Sequence, residues 1–432
     1  MSPRPSTPQT TAPSKSTGPG SASAFRWAIH WVLPCSRICA LEPGETRIGR
    51  DAESEIAFDD VELSRSHARI TTSTAVCQLV DLGSRNGCFV NGQRVSSAQL
   101  ENGSVLQVGS NVGVLVHAPN ATESCRDLAR SPAEPYLGSA KLKHVVEQAR
   151  ELAPRRDPVF VNGASGSGKE TIARILHDES GRTGRLVALN CSTVRGDLAV
   201  SAIFGHKRGS FSGATADSPG AAMQAAGGTL FLDEIAELPV ETQPLLLRFL
   251  QSGELTAVGT SVAKHVDVRV VCATHQDLYS RSKSGKFRED LYYRLAPHEL
   301  RLPRLRERRE DILELFERFA GRPRGAMTRG FVTRLLLKEY DGNVRELQNL
   351  ALHLTASRGA ERVWDSHALP ASLAGEAAEP PEPRKPEQLE EAEWKALHTR
   401  HRGNAASIAL ATGFSPSAVK RYLAKHRLRA KA

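Results

Sequence analysis

Gly163-Ala164-Ser165-Gly166-Ser167-Gly168-Lys169-Glu170 stands between an apolar run, Pro158-Val159-Phe160-Val161, and a segment of helical pattern from Thr171 to His177. The order strand, glycine loop, helix decides how the middle of the chain is read. Glycines let successive backbone N–H groups turn inward around an anion, the helix N-terminus adds partial positive charge, and a lysine neutralises the outer phosphates. Gly163 to Thr171 is therefore the candidate nucleotide-binding segment, with Lys169 on the outer phosphates. Alone, the same letters also describe a glycine-rich turn with a surface lysine. The needed partners come at Thr229-Leu230-Phe231-Leu232-Asp233-Glu234, an apolar strand that delivers two acids to its C-terminal end. Asp233 is placed to hold Mg²⁺ and Glu234 to polarise an attacking water. A third run, Val268 to His275, ends in polar residues, as a sensor of the outer phosphate requires.

The chain has 432 residues, too many for one ordinary core, and is expected to form about two to four domains. Hydrophobic residues at 40% and charged residues at 24% exclude a wholly disordered chain. Seven cysteines include no CxxC pair, which points to free thiols in a reducing compartment rather than to zinc or disulfides. No apolar run reaches membrane-spanning length, and residues 1–24 hold Ser, Thr, Pro and Gly where a signal peptide would hold an apolar core. The expectation is a cytoplasmic protein with no membrane partner. Of the 57 basic residues, nine lie in residues 395–432 with no acid among them, which leaves 48 bases against all 48 acids elsewhere. The whole net charge of +9 therefore sits at the C-terminal end, where helical patterning makes it a candidate for nucleic acid.

Residues 1–24 are expected to be a disordered arm. From 25 to 117, short β-type runs (Trp27–Leu33, His67–Thr71, Val76–Leu79, Val105–Val108, Val112–Val116) alternate with Gly, Asn and Asp turns, the pattern of an all-β sandwich. Within it stand Gly49-Arg50, Ser64-Arg65-Ser66-His67, Gly83-Ser84-Arg85-Asn86-Gly87 and Asn91-Gly92. Their order and spacing resemble a forkhead-associated (FHA) domain, which binds phosphothreonine peptides through loops at one end of a sandwich. The resemblance implies that Arg50 and Ser64 contact phosphate, that Arg65, Arg85 and Asn86 hold the peptide or phosphate, and that His67 braces the loop. An arginine, a hydroxyl and an amide from separate loops suit a phosphate dianion. Asn91-Gly92 needs no role beyond a hairpin turn, and Cys88 stands where the family often has Thr. Residues 118–135 read as an interdomain linker.

From 136 to 373 strand and helix patterns alternate, implying an α/β domain with a parallel sheet. Here Gly163–Glu170, Phe204-Gly205-His206 leading into Gly209-Ser210-Phe211-Ser212-Gly213-Ala214, Gly227–Ile235, Phe287–Leu295 and Gly342-Asn343-Val344-Arg345-Glu346-Leu347 follow the order of the sigma-54-dependent transcriptional activators. These are AAA+ P-loop ATPases with a helical lid, which here would span about residues 306–373. The resemblance implies ATP and Mg²⁺ as cofactors. It gives Asn190 the restraint of Glu234, Arg288 and Arg294 the reach into a neighbour's site, and Arg345 the report of nucleotide state from the lid. Arginine suits these tasks because its fixed fork stabilises charge on a transferred phosphoryl. Fingers acting between subunits imply a homo-oligomeric ring, a hexamer when active. Gly209 to Ala214 matches the loop through which the family touches sigma-54, usually Gly-Ala-Phe-Thr-Gly-Ala. Flanking glycines let it rise, and an exposed Phe211 offers an apolar contact. This chain departs from the family at Ser212, Ala202, Lys207, Ala222-Met223 and Asp341, none of which is a catalytic position. Glu170, where a generic loop has Ser or Thr for the metal, is normal for the family.

Residues 374–387 read as a second linker, and 388–432 as a small all-α unit. Leu389–Arg402 and Ala405–Ala411 are helical in pattern, and after Thr412-Gly413-Phe414 the pair Ser415-Pro416 starts another helix. The arrangement resembles the Fis-type helix-turn-helix that ends these activators and implies double-stranded DNA at enhancer sites as a partner. The DNA-facing residues would be Ser415, Ser417, Ala418, Lys420 and Arg421, with Lys425, Arg427 and Arg429 on phosphates.

The sequence thus reads as a multidomain chain: an FHA sandwich, a sigma-54-interacting AAA+ ATPase and a helix-turn-helix. Its expected partners are sigma-54 RNA polymerase, enhancer DNA and a phosphothreonine protein, either a Ser/Thr kinase or its substrate. Two rival readings remain: a phosphopeptide-gated repressor that keeps the ATPase fold for assembly, and an AAA+ remodeller of another partner.

Overall fold

A computed structural model describes residues 25–119, 139–194, 196–359, 361, 363–370, 394–395, 398 and 416–426. The arm at 1–24, nearly all of the first linker, the second linker, Ser415, Arg427 and Arg429 lie outside the described residues.

Residues 25–119 form two facing sheets. The six-stranded sheet runs in the order Arg37–Leu41, Phe25–Leu33, Asn111–Pro119, Val105–Val108, Cys88–Val90, Gln93–Val95. The five-stranded one runs Ile56–Ala57, Gly44–Gly49, Ala68–Thr72, Cys77–Asp81, Ser97–Leu100. Alternation explains the pleat: in Ala68–Thr72 the residues Ala68, Ile70 and Thr72 are buried while Thr71 is exposed. Trp31, Ile29, Ile48, Ile70, Leu79 and Leu115 fill the space between the sheets. Every strand legible in the sequence is present. Those not anticipated, such as Arg37–Leu41 and Gly44–Gly49, are short or carry charges on their outer face.

The central domain has five parallel strands in the order Leu186–Asn190, Thr229–Asp233, Arg269–Thr274, Val159–Asn162, Glu299–Arg301. Arg269–Thr274 is buried along its whole length, as a strand covered on both faces must be. One face packs with Phe204, Leu246, Phe249 and Leu291, and the other with Val145, Val146, Ile172 and Leu176. All the strands therefore deliver their C-terminal ends to one edge, where the glycine loop and the acids meet.

The lid comprises three helices, Ile312–Ala320, Arg329–Leu337 and Asn343–Arg358. They close on fully buried Trp364, whose ring meets Phe316 and Phe331 and lies 4.3 Å under the Arg322 guanidinium. The sandwich is docked on this lid: Val32, Leu33, Val105, Val112 and Val114 belong to the same apolar cluster as Phe316 and Phe331. The connection read as a linker gave no hint of that docking. Near the C-terminus, helix Pro416–Lys425 packs Tyr422 in parallel against Trp394, with 5.7 Å between ring centres. Among the described residues no helix is long and apolar enough to cross a membrane.

His30 is buried where the sandwich meets the lid, and burial, aided by the Arg324 charge, lowers its pKa from 6.5 to about 4. Its neutral form is therefore the folded form. As pH falls from 6.5 to 5 the unfolded chain takes up a proton that the folded chain refuses, so stability falls, by about 2 kcal/mol at most. Thermal unfolding of the sandwich should shift to lower temperature over that interval, and His30→Leu should reduce the slope. An unchanged slope in the variant would refute the assignment.

Candidate functional site

Strand Val159–Asn162 ends at the glycine loop, and the following helix, Lys169–Asp178, starts from Gly168 at φ 108°. Left-handed backbone at Gly166 and Gly168 turns the loop around a central point. Gly166 has a second reason to be glycine: a Cβ there would lie 2.3 Å from the Gly342 carbonyl oxygen of the lid. The lid is tied to the loop by Val344 N donating to Gly166 O at 3.0 Å and Asn343 Nδ2 donating to Ser165 O at 3.0 Å.

A cavity of about 460 Å³ opens between loop and lid, lined by Ser165 to Thr171 together with Asn190, Asp233, Glu234, Arg308 and Arg345. Buried Lys169 donates through Nζ to Gly163 O at 3.0 Å and reaches Glu234 Oε1 at 3.4 Å. Glu234 Oε2 also accepts from Thr274 Oγ1 at 3.1 Å and contacts His275 Nδ1 at 2.8 Å. Burial opposes the Glu234 charge, but Lys169, His275 and Thr274 outweigh it and hold the carboxyl below its ordinary range. Next door, burial pushes Asp233 up; Lys169 offsets part of this and the Glu234 charge adds to it. Asp233 Oδ1 is buried with no hydrogen-bond partner among the described residues. A hard anionic oxygen left open at a strand end suits a hard cation such as Mg²⁺.

The expected catalytic residues divide by position. Lys169, Asp233, Glu234, Asn190 and Arg345 share the cavity, whereas Arg288 and Arg294 do not line it. Arg288 pairs with Asp290 at 2.7 Å and Arg294 donates to Leu250 O at 2.9 Å. Asn190 does not hold Glu234 here: its side-chain oxygen accepts from Ser192 N at 2.9 Å and caps its own turn. The residues on Glu234 are Thr274 and His275, from the strand read as the phosphate sensor. Arg308 was missed. It is buried, donates through Nη2 to Ser167 O at 3.0 Å and lies 3.6 Å from Asp311. In the run Arg304-Leu305-Arg306-Glu307-Arg308-Arg309 it reads as one more solvated charge.

The loop Gly209–Ala214 folds back on itself, Gly209 N donating to Ala214 O at 2.8 Å. Phe211, expected to be exposed, is half-buried edge-on against His206, with 5.0 Å between ring centres, while Ser212 and Gly213 form the open tip. Lys207 pairs with Asp217 at 2.6 Å, so the unusual charge is matched locally.

A second constellation lies at one end of the sandwich. Ser64 O accepts from Arg50 N at 3.0 Å, Ser64 Oγ accepts from Arg85 N at 3.2 Å, and Asn86 Nδ2 donates to Glu62 O at 2.7 Å. Three loops are thereby joined. Gly49 permits their approach, since a Cβ there would fall 2.0 Å from Arg65 O. His67 Nδ1 accepts from Ser64 N at 3.1 Å and Nε2 donates to Gly87 O at 3.2 Å, a neutral tautomer favoured by burial, which lowers its pKa. Arg50, Arg65 and Arg85 are exposed, and their guanidinium groups form no ion pair among the described residues. In helix Pro416–Lys425, Lys420, Arg421 and Lys425 are exposed opposite buried Val419 and Leu423; of Ser417 and Ala418 only the helical backbone is described.

Residues 136–301 match the family model of the Sigma-54 interaction domain, residues 306–386 that of the AAA+ ATPase lid domain, and residues 46–109 that of the FHA domain. Response regulator protein PilR of Pseudomonas aeruginosa is 45% identical over 220 residues, 49% of each chain. DNA-binding transcriptional regulator NtrC of Azospirillum brasilense is 44% identical over 246 residues, 55% of this chain and 50% of its own. The chain therefore spans about half the length of these curated relatives. NtrX from Brucella abortus, crystallised in complex with ATP, aligns with a TM-score of 0.50 at 30% identity, covering 67% of this chain and 68% of its own.

Gly166→Ala drives a methyl group into the lid and strains the backbone at φ 71°. Titration with a fluorescent ATP analogue should show at least about tenfold weaker binding, the effect of about 1.4 kcal/mol. Unchanged affinity would show that lid and loop need not meet this closely.

Proposed function

We propose, from the premise that this chain belongs to the sigma-54 activator family of AAA+ proteins and carries an FHA domain ahead of its ATPase, that it regulates transcription by hydrolysing ATP. The energy remodels sigma-54 RNA polymerase at promoters whose enhancer sites the C-terminal helices bind. The observation that carries this reading is the convergence of Lys169, Asp233, Glu234 and Arg345 in one cavity between loop and lid.

The loop N–H groups and the Lys169 ammonium hold the phosphates. Asp233 offers its open oxygen to Mg²⁺, which when bound neutralises phosphate charge. Glu234, kept ionised by Lys169, His275 and Thr274, accepts the proton of the attacking water. Thr274 and His275 connect this carboxylate to the end of the neighbouring strand, where a change at the outer phosphate is felt. Arg345 lines the cavity from the lid. Arg288 and Arg294, outside the cavity of their own chain, complete the site of an adjacent subunit in a hexameric ring. Asn190, which lines the same cavity, exchanges its turn cap for Glu234 during turnover. The tip at Ser212 and Gly213, with Phe211 behind it, is the element that meets sigma-54. Arg50, Ser64, Arg65, Arg85 and Asn86 take the phosphothreonine of a Ser/Thr kinase or its substrate. Lys420, Arg421 and Lys425 approach the DNA. The protein works in the cytoplasm. The alternative of an AAA+ remodeller acting on another partner is favoured by one observation, the loss of the threonine methyl at Ser212.

Specific ATPase activity of the full chain should rise cooperatively with protein concentration, and Glu234→Gln should reduce turnover at least about a hundredfold while ATP still binds. Turnover that is independent of concentration and survives the substitution would refute the shared-site mechanism. Arg50→Ala or Ser64→Ala should weaken binding of a phosphothreonine peptide about tenfold or more, the cost of a charged hydrogen bond. Calorimetry showing equal affinity for the phosphorylated and unphosphorylated peptides would reject the input reading.

A further inference from the structure

The sandwich grips the lid through polar contacts as well as the shared apolar cluster. Arg324 Nη1 donates to Val32 O at 3.0 Å, Arg309 Nη1 to Gly103 O at 3.1 Å and Arg329 Nη1 to Gly109 O at 3.1 Å. Arg329 also forms an ion pair with the Glu62 carboxylate. Glu62 belongs to the loop that carries Ser64, and its carbonyl is the acceptor for Asn86. Two residues earlier, Asp60 Oδ2 accepts from Ser110 N at 2.9 Å and Asn111 Nδ2 at 2.9 Å, fixing this loop to the turn that Arg329 holds. One short segment, 60–64, thus has the phosphopeptide ligands on one side and the lid on the other.

The lid end of this connection reaches the nucleotide loop. Arg309, which bonds to the sandwich at Gly103 O, directly follows Arg308, whose guanidinium bonds to Ser167 O. Strand Asn111–Pro119 of the sandwich also packs against helix Ala140–Leu152 of the nucleotide-binding core. The sandwich therefore touches lid and core together and restrains the angle between them. Domain closure commonly turns on a hinge, and a body seated across a hinge resists its motion.

We infer that the FHA sandwich is a clamp on the AAA+ lid, closed by the Glu62–Arg329 ion pair and opened when a phosphothreonine peptide engages Ser64 and Asn86. A phosphate dianion drawn to these groups acts on the backbone that presents Glu62 and adds negative charge near Arg329. The ion pair weakens, the lid is freed, and turnover rises. This rests on the phosphothreonine reading above, but the clamp itself does not. Linkage requires the coupling to be reciprocal in binding, and couplings of this kind amount to about 5- to 150-fold.

The test uses the full chain, a phosphothreonine peptide selected from a degenerate library, its unphosphorylated form, and the variants Arg329→Ala, Glu62→Gln and the exchange Glu62→Arg with Arg329→Glu. ATPase activity of the wild type should rise about fivefold or more with the phosphorylated peptide alone. R329A and E62Q should show that higher rate without peptide and gain little from it, and the exchange variant should return to the low rate. Unraised basal rates in R329A and E62Q, or a peptide effect of equal size in wild type and R329A, overturn the clamp. A peptide that binds no better phosphorylated than unphosphorylated overturns the release step and the phosphothreonine reading together, while the basal rates of the variants still decide the clamp.

Discussion

The nucleotide cleft exists because the lid sits directly on the glycine loop. At Gly166 there is room for a hydrogen and nothing larger, with the Gly342 carbonyl 2.3 Å from where a Cβ would be. Asn343, at φ 52°, turns the lid chain at this point; its Nδ2 holds Ser165 O and its Oδ1 accepts from Leu305 N at 2.9 Å. Asparagine tolerates this left-handed backbone better than most residues and supplies both donor and acceptor. From this one contact follow the position of Arg345 at the cavity and of Arg308 on Ser167.

Two neighbouring acids are given different characters by their surroundings. Glu234 is surrounded by Lys169, Thr274 and His275 and stays charged; Asp233 keeps an unpartnered, desolvated oxygen and is shifted the other way. Separation of this kind gives adjacent carboxylates different protonation behaviour. The pair has this geometry because Thr229–Asp233 and Arg269–Thr274 are adjacent parallel strands ending at the same edge.

Much of this was legible in the sequence, wherever the chemistry demands residue types at fixed spacing. Gly163 to Lys169, Asp233-Glu234 and the polar end of Val268–His275 are such places, and so are the sandwich strands with clear alternation. What was not legible depends on contacts between distant segments. Arg308 and Arg309 look alike in sequence, yet one is buried on the nucleotide loop and the other meets Gly103 O. Glu62 looks like a surface acid until Arg329 is placed opposite it. Asn190 shows the reverse difficulty: family spacing assigns it to Glu234, whereas local geometry satisfies it within its own turn.

The apolar cluster shared by sandwich and lid packs the two domains into one body until the clamp opens. Whether that body does work on transcription is decided most directly at a sigma-54 promoter. Purified full-length chain, sigma-54 RNA polymerase and promoter DNA should give open complexes, detected by permanganate reactivity of melted thymines, with ATP and not with ADP. Lys169→Ala should abolish them. ATP hydrolysis at full rate with no promoter melting would contradict the account.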